Sequence, residues 1–165
     1  MTIRKGMVIN MNENIFTTEL LVAIIAGLVL VVSAGIVICK KYRISSKIRR
    51  RDMMEGFDFE YYCADLLEAN GFYDVIVTQS CGDFGIDILA EKDGVTYAIQ
   101  CKRYEGLVGI KAVQEAYSGR DYYDRMVGCV LTNQYFTKAA ADAAKKLKIL
   151  LWDRDYLESL EGFGD

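Results

Sequence analysis

The hydrophobic and polar positions along the chain fall into two regimes. Residues Leu20 to Cys39, LLVAIIAGLVLVVSAGIVIC, carry no charge, and Ser33 is their one hydroxyl. A helix of that length, at about 1.5 Å per residue, covers roughly 30 Å, the thickness of a bilayer's hydrocarbon core. A core helix of a globular domain would be shorter and would keep a polar face. A secretory signal has an apolar region of roughly 7–15 residues that ends at a small-residue cleavage site. Here the stretch is longer and leads into KKYRISSKIRRR. The pattern therefore predicts a retained transmembrane helix, with Met7 and Met11 as alternative starts.

From Gly56 onward the periodicity changes. In FDFEYYCADLLEANG, Phe59, Tyr62 or Cys63, and Leu66 or Leu67 recur at helical spacing. Asp58 is the expected N-cap and Asn70-Gly71 the expected stop. Residues 72–79 (FYDVIVTQ), 86–91 (IDILAE) and 95–102 (VTYAIQCK) read as strands, the last two joined by an Asp93-Gly94 hairpin turn. A helix is expected over 108–118 with Ile110, Val113 and Tyr117 inward. MVGCVLT (126–132) and KILLW (148–152) suit buried strands, Thr137 to Leu147 an Ala-rich helix, and a short helix closes the chain. Helices alternating with strands predict an α/β fold, a mixed sheet flanked by helices, preceded by one transmembrane helix. The predicted organisation is a short extracytoplasmic segment (1–19), the span (20–39), a basic juxtamembrane linker (40–54) and a globular domain (55–165).

Charge sets the orientation. Arg4 and Lys5 before the span are offset by Glu13 and Glu19, whereas Lys40, Lys41, Arg43, Lys47, Arg49, Arg50 and Arg51 follow it without an acid among them. The positive-inside bias places the carboxyl-terminal domain in the cytoplasm, anchored to the inner or plasma membrane by a single pass. The basic tract reads first as a topology anchor touching anionic lipid, and second as an arm for nucleic-acid phosphates. After Arg51 there are eleven basic and twenty-one acidic residues, a charge of −10. Such a domain does not hold DNA by bulk electrostatics. The chain has no histidine and no proline, and its five cysteines form no Cys-x-x-Cys pair. This excludes His-based catalysis, and argues against a zinc knuckle or a thioredoxin-like centre.

The hairpin supplies candidate chemistry. With Asp93 and Gly94 central in the turn, Lys92 faces Val95 and Asp87 faces Gln100. Opposed residues share a face, and Lys102 joins that face by the two-residue period. Ile86, Ile88, Ile99 and Cys101 are then expected on the other, buried face. A carboxylate and an amide oxygen suit a hard cation such as Mg²⁺, which acidifies bound water and offsets charge on a phosphoryl group. A neighbouring ammonium can orient that water or offset developing negative charge. The bland alternative is a structural ion pair between Asp87 and Lys102.

GFDFEYYCADLLEANGF, CGDFGIDILAE, YAIQCKRY, VLTNQYFTKAAADAA and ILLWDRDYL together resemble the Mrr-type restriction endonuclease domain, a branch of the PD-(D/E)XK nuclease superfamily, over about residues 55–160. The resemblance implies a metal-dependent DNA endonuclease on a restriction-endonuclease-like mixed sheet, with Mg²⁺ (or Mn²⁺) as cofactor. It implies that Asp87, Gln100 and Glu60 hold the metal, that Lys102 is the catalytic lysine, and that Gln114 lies with Lys102 on the substrate. Gln100 stands where most of the superfamily has Glu or Asp, and Ile86 where the proline would be. Asp83 either joins the site or shapes its loop through an Asx-turn. Without the resemblance Glu60 reads as a solvated helix residue, and Tyr61, Tyr62, Tyr117, Tyr122 and Tyr123 as packing rather than base-stacking groups. The implied role is restriction of foreign DNA, with a separate recognition subunit or a homodimer as further partner. The rival expectations are an inactive membrane-tethered binding module and a repair or junction-resolving nuclease.

Overall fold

A computed structural model describes residues 3–78 and 84–162, with residues 3–17 given by their backbone alone. Asp83 lies outside the described residues. The chain divides into two compact units, Met1–Ser46 and Lys47–Asp165.

Helix α1 (Ile3–Asp52) makes up the first unit and contributes its last turns to the second. From Thr18 on it is long and apolar enough to cross a membrane, with a mean hydropathy of 3.0 and none of that window buried. The β-branched and Leu side chains that would form a core elsewhere face outward all round, Leu30 and Val31 each being 70% exposed. By length and composition the helix is a candidate membrane span.

The second unit is a five-stranded sheet with helices on both faces. Its strands are β1 (Tyr73–Val77), β2 (Ile88–Lys92), β3 (Val95–Lys102), β4 (Val127–Thr132) and β5 (Ile149–Trp152), in that spatial order. The first three are antiparallel, while β3–β4 and β4–β5 are parallel. Helix α2 (Gly56–Ala69) and the short α5 (Arg154–Leu160) cover one face. There Phe59, Cys63 and Leu67 pack on Ile88, Ile99, Cys129, Leu131 and Trp152. Helices α3 (Ile110–Tyr122) and α4 (Lys138–Leu147) cover the other with Val113, Ala116, Ala140 and Ala144 against Val130 and Ile149. The hairpin register is the one expected, from Lys92 opposite Val95 to Ile88 opposite Ile99. Its turn uses positive φ at Asp93 (53°) and Gly94 (76°), the primed geometry that matches strand twist.

Four expectations need correction. Asp58 is not the N-cap of α2. The helix begins at Gly56 behind an extended Glu55, and Asp58 sits in the first turn, where the helix dipole favours an acid. On α3 it is Ala112, Val113, Ala116 and Gly119 that face inward, while Ile110 and Tyr117 are exposed. Small residues win because the helix lies close to the sheet: a Cβ on Gly119 would come within 2.1 Å of Ile86 Cγ1, and one on Gly128 within 3.1 Å of the Ala116 carbonyl. Third, Ile86 does not share the face of Ile88. It packs with Leu89 and Ala98 against α3. Alternation fails there because Asp87 precedes the regular strand, its N–H bonded to Ile99 on β3 and its carbonyl to Thr78 on the opposite side.

Fourth, Arg51 is no exposed member of the basic tract. Its guanidinium is fully buried, with two bonds of 3.1 and 3.0 Å to Glu161 and others to Glu158 and Asp52. Asp52 in turn accepts from Arg154 and from the buried Asn133.

Candidate active site

Two β-strand ends and one helix build the site. Asp87 sits at the irregular entry to β2, opposite the end of β3 that carries Gln100 and Lys102. The backbone N–H of Cys101 donates to Asp87 Oδ2 at 2.6 Å. The amide Nε2 of Gln100 donates to the same oxygen and to the Cys101 carbonyl at 3.2 Å. Asp87 and Gln100 are thus held side by side, as the register predicts.

The other end of the Gln100 amide matters more. Its Oε1 is buried and, among the described residues, has no hydrogen-bond partner. A buried carbonyl oxygen left in that state costs about 1–3 kcal/mol unless something else satisfies it. Gly85, with φ at +75°, passes beside it, and a Cβ there would lie 3.0 Å from Oε1 and 2.9 Å from Glu115 Cβ. The loop backbone therefore runs close against this oxygen and the root of Glu115, an approach that only glycine allows.

Lys102 does not pair with Asp87. Its Nζ lies 2.8 Å from Glu115 Oε2 on α3, and Lys111 approaches the other carboxylate oxygen at 3.7 Å. Gln114 points outward and is exposed. Glu115, absent from the sequence reading, takes the place beside Lys102. The signal that finds it is the small-residue register of α3: Ala112 and Ala116 face the sheet, and Glu115 follows Ala112 by three positions.

Glu60 is half-buried on α2. Its charge and that of Asp87 both act to raise the Cys101 thiol. The thiol is pushed up by its hydrogen bond with Cys63, then by full burial, then by those charges. It is an inert packing group rather than a nucleophile.

Among the described residues no three His, Cys, Asp or Glu side chains gather around one metal position. The donor set is the Asp87 carboxylate and the orphaned Gln100 oxygen, with Glu60 nearby. A carboxylate and a buried amide oxygen left without a partner among the described residues are hard oxygen donors of the kind that suit a divalent cation such as Mg²⁺.

Comparisons with known proteins bear on the family and the fold. Residues 51–160 match the Mrr_cat family, described as Restriction endonuclease. Two solved structures share the fold. One, titled "Protein of Unknown Function AF1548", is 24% identical with a TM-score of 0.52, the match covering 64% of this chain and 65% of that one. The other, "DNA modification-dependent restriction endonuclease AspBHI", is 21% identical with a TM-score of 0.50, covering 68% of this chain and 32% of that one. No curated protein matches the chain. The mixed sheet, the Asp87 and Gln100 pair at its inner strands β2 and β3, and a family match over two-thirds of the sequence lead to one assignment: the chain belongs to the Mrr_cat restriction endonuclease family.

Proposed function

We propose that the second unit is a divalent-metal-dependent endodeoxyribonuclease, tethered to a membrane by α1 with its catalytic unit on the cytoplasmic side. The observation that carries the reading is the buried, unsatisfied Gln100 Oε1 beside the Asp87 carboxylate. Asp87 and Gln100 would hold Mg²⁺ (or Mn²⁺), and Glu60 adds negative charge from the α2 side. When bound, such a cation supplies Lewis-acid stabilisation of charge on the phosphoryl oxygens.

The reaction is hydrolysis. Water adds to phosphorus, the ester bond opposite it breaks, and a phosphate monoester and a hydroxyl result. Lys102 brings its ammonium to the nucleophile and to the charge that develops on the phosphate. Glu115 fixes where that ammonium sits through the 2.8 Å ion pair. The network Gln100–Asp87–Cys101 N–H holds the acceptor groups in place before substrate arrives, so little reorganisation is needed.

Family membership supports restriction of foreign DNA as the role. Target choice then comes from a separate recognition subunit or from a second copy. A non-enzymatic binding module is the reading favoured by the −10 charge, since few cations remain for phosphate contacts. The test uses the full chain in detergent micelles with supercoiled plasmid. Mg²⁺-dependent nicking that is abolished by EDTA, by Asp87→Ala and by Lys102→Ala is expected. Absence of nicking by the wild-type chain with either Mg²⁺ or Mn²⁺ would favour the binding module.

A further inference from the structure

We infer that Phe84 and Tyr122 form a stacking platform for an unpaired nucleobase next to the scissile phosphate, so that the substrate class is DNA with single-stranded or unstacked positions. The inference rests on the nuclease reading and names the substrate of that same site.

Phe84 and Tyr122 stack with centroids 3.9 Å apart and planes at 24°, yet they are 54% and 57% exposed. Tyr123 props Tyr122 edge-on at 5.0 Å. Two large rings have thus been ordered against each other without being buried, which a packing role does not explain. The Phe84 backbone is held in the left-handed region, φ +49°, a conformation that costs a bulky residue energy. Its carbonyl lies against α3 at Gly119, where an added Cβ would come within 3.1 Å. The next residue is Gly85, which lies beside the Gln100 oxygen. Phe84 is therefore the residue immediately before the one that lies against the Gln100 oxygen.

Charge chooses the occupant. Arg120, Asp121, Asp124 and Arg125 flank the tyrosine pair and sum to zero, with Asp121 paired to Arg120 at 2.8 Å. With no excess of cations for a phosphate, the rings themselves are what the patch offers, and they suit the uncharged π-face of a base. Stacking is how a protein poor in surface cations can still hold a strand, because it is worth about ten- to a hundred-fold in affinity per base and needs no counterion release. A base reaches the exposed face of Phe84 only if it leaves the duplex stack, which selects unpaired or distorted DNA.

The experiment measures binding by the full chain in detergent and EDTA, using fluorescence anisotropy. The probes are a short single-stranded oligonucleotide and the same backbone with abasic positions. The wild type should prefer the base-bearing strand by roughly ten-fold or more. Phe84→Leu should lose that preference and Phe84→Trp should keep it. Equal binding of the two probes by the wild type, or an unchanged preference in Phe84→Leu, overturns the inference. Plasmid nicking with Mg²⁺ is scored in parallel. Nicking without a Phe84-dependent preference sinks the platform and leaves the nuclease reading intact. The preference without nicking sinks the cleavage reading and leaves the platform standing as a DNA-binding surface.

Discussion

Gly85→Ala is the substitution that interrogates the site most directly without touching a functional group. An alanine at φ +75° is in a region L-residues avoid, at a cost of about 1–2 kcal/mol. Its Cβ would also sit 2.9 Å from Glu115 Cβ and 3.0 Å from Gln100 Oε1. The first contact is to the root of a side chain on α3, so either the loop or the helix must move. Overpacking of that kind costs about 1–3 kcal/mol. The sum, roughly 2–5 kcal/mol, falls below the stability of most domains, so the chain stays folded but the site shifts. Displacing a positioned group by about 1 Å costs on the order of a hundred-fold in rate. Gly94→Ala is the matched control. It has nearly the same φ, +76°, with nothing within 4 Å of the added carbon. Both variants should lose stability in urea unfolding, and only Gly85→Ala should lose plasmid nicking. Full nicking by Gly85→Ala, or equal losses in the two, would refute the claim that the close approach of Gly85 to Gln100 and Glu115 positions the chemistry.

Arg51→Met should destabilise the second unit by about 3 kcal/mol, because it strands the nearly buried Glu161 carboxylate. Adding Glu161→Leu should recover most of that in urea titrations, and no recovery would mean that packing rather than charge dominates. Glu115→Ala should lower nicking at least ten-fold while Gln114→Ala, at an exposed position, leaves it within two-fold. The reverse order would return the helix contact to Gln114. Burial pushes the Cys129 thiol well up, with the Trp152 backbone pulling weakly the other way. The folded state therefore holds that proton more tightly than the unfolded one. Stability should fall as pH rises above the ordinary thiol range, by up to about 1.4 kcal/mol per pH unit. Cys129→Ala should remove that part of the slope in unfolding curves taken between roughly pH 8.5 and 10.

Much of this was legible in the amino-acid order, because the signals were local. The Asp93-Gly94 turn sets the β2–β3 register, and register alone brings Asp87 to Gln100. What stayed hidden depends on distance between layers. Ile110 and Tyr117 read as core by hydrophobicity together with Val113, but α3 lies so close to the sheet that Val113 shares its buried face with Ala112, Ala116 and Gly119 instead. That closeness turns Glu115 toward Lys102 and Gln114 away. Lys102 on the same face as Asp87 left an ion pair between them as the bland alternative. The partner instead came from a helix that no strand alternation could foresee. Arg51 was concealed by its company, since six like-charged residues upstream gave no hint that one guanidinium turns inward.

The buried Arg51 also decides where the polypeptide may be cut. A soluble version designed from composition would discard the whole basic tract and start at Asp52 or later. That version would leave Glu161, only 4% exposed, without its cation and with only the Tyr62 hydroxyl donating to it at 2.6 Å. It would also open the wall formed by Lys47, Arg50 and Arg51 around a cavity of about 360 Å³ over Tyr62 and Leu66. A start at Lys47 keeps the plug in its socket, and only the turns before it are dispensable baggage for crystallographers and enzymologists alike.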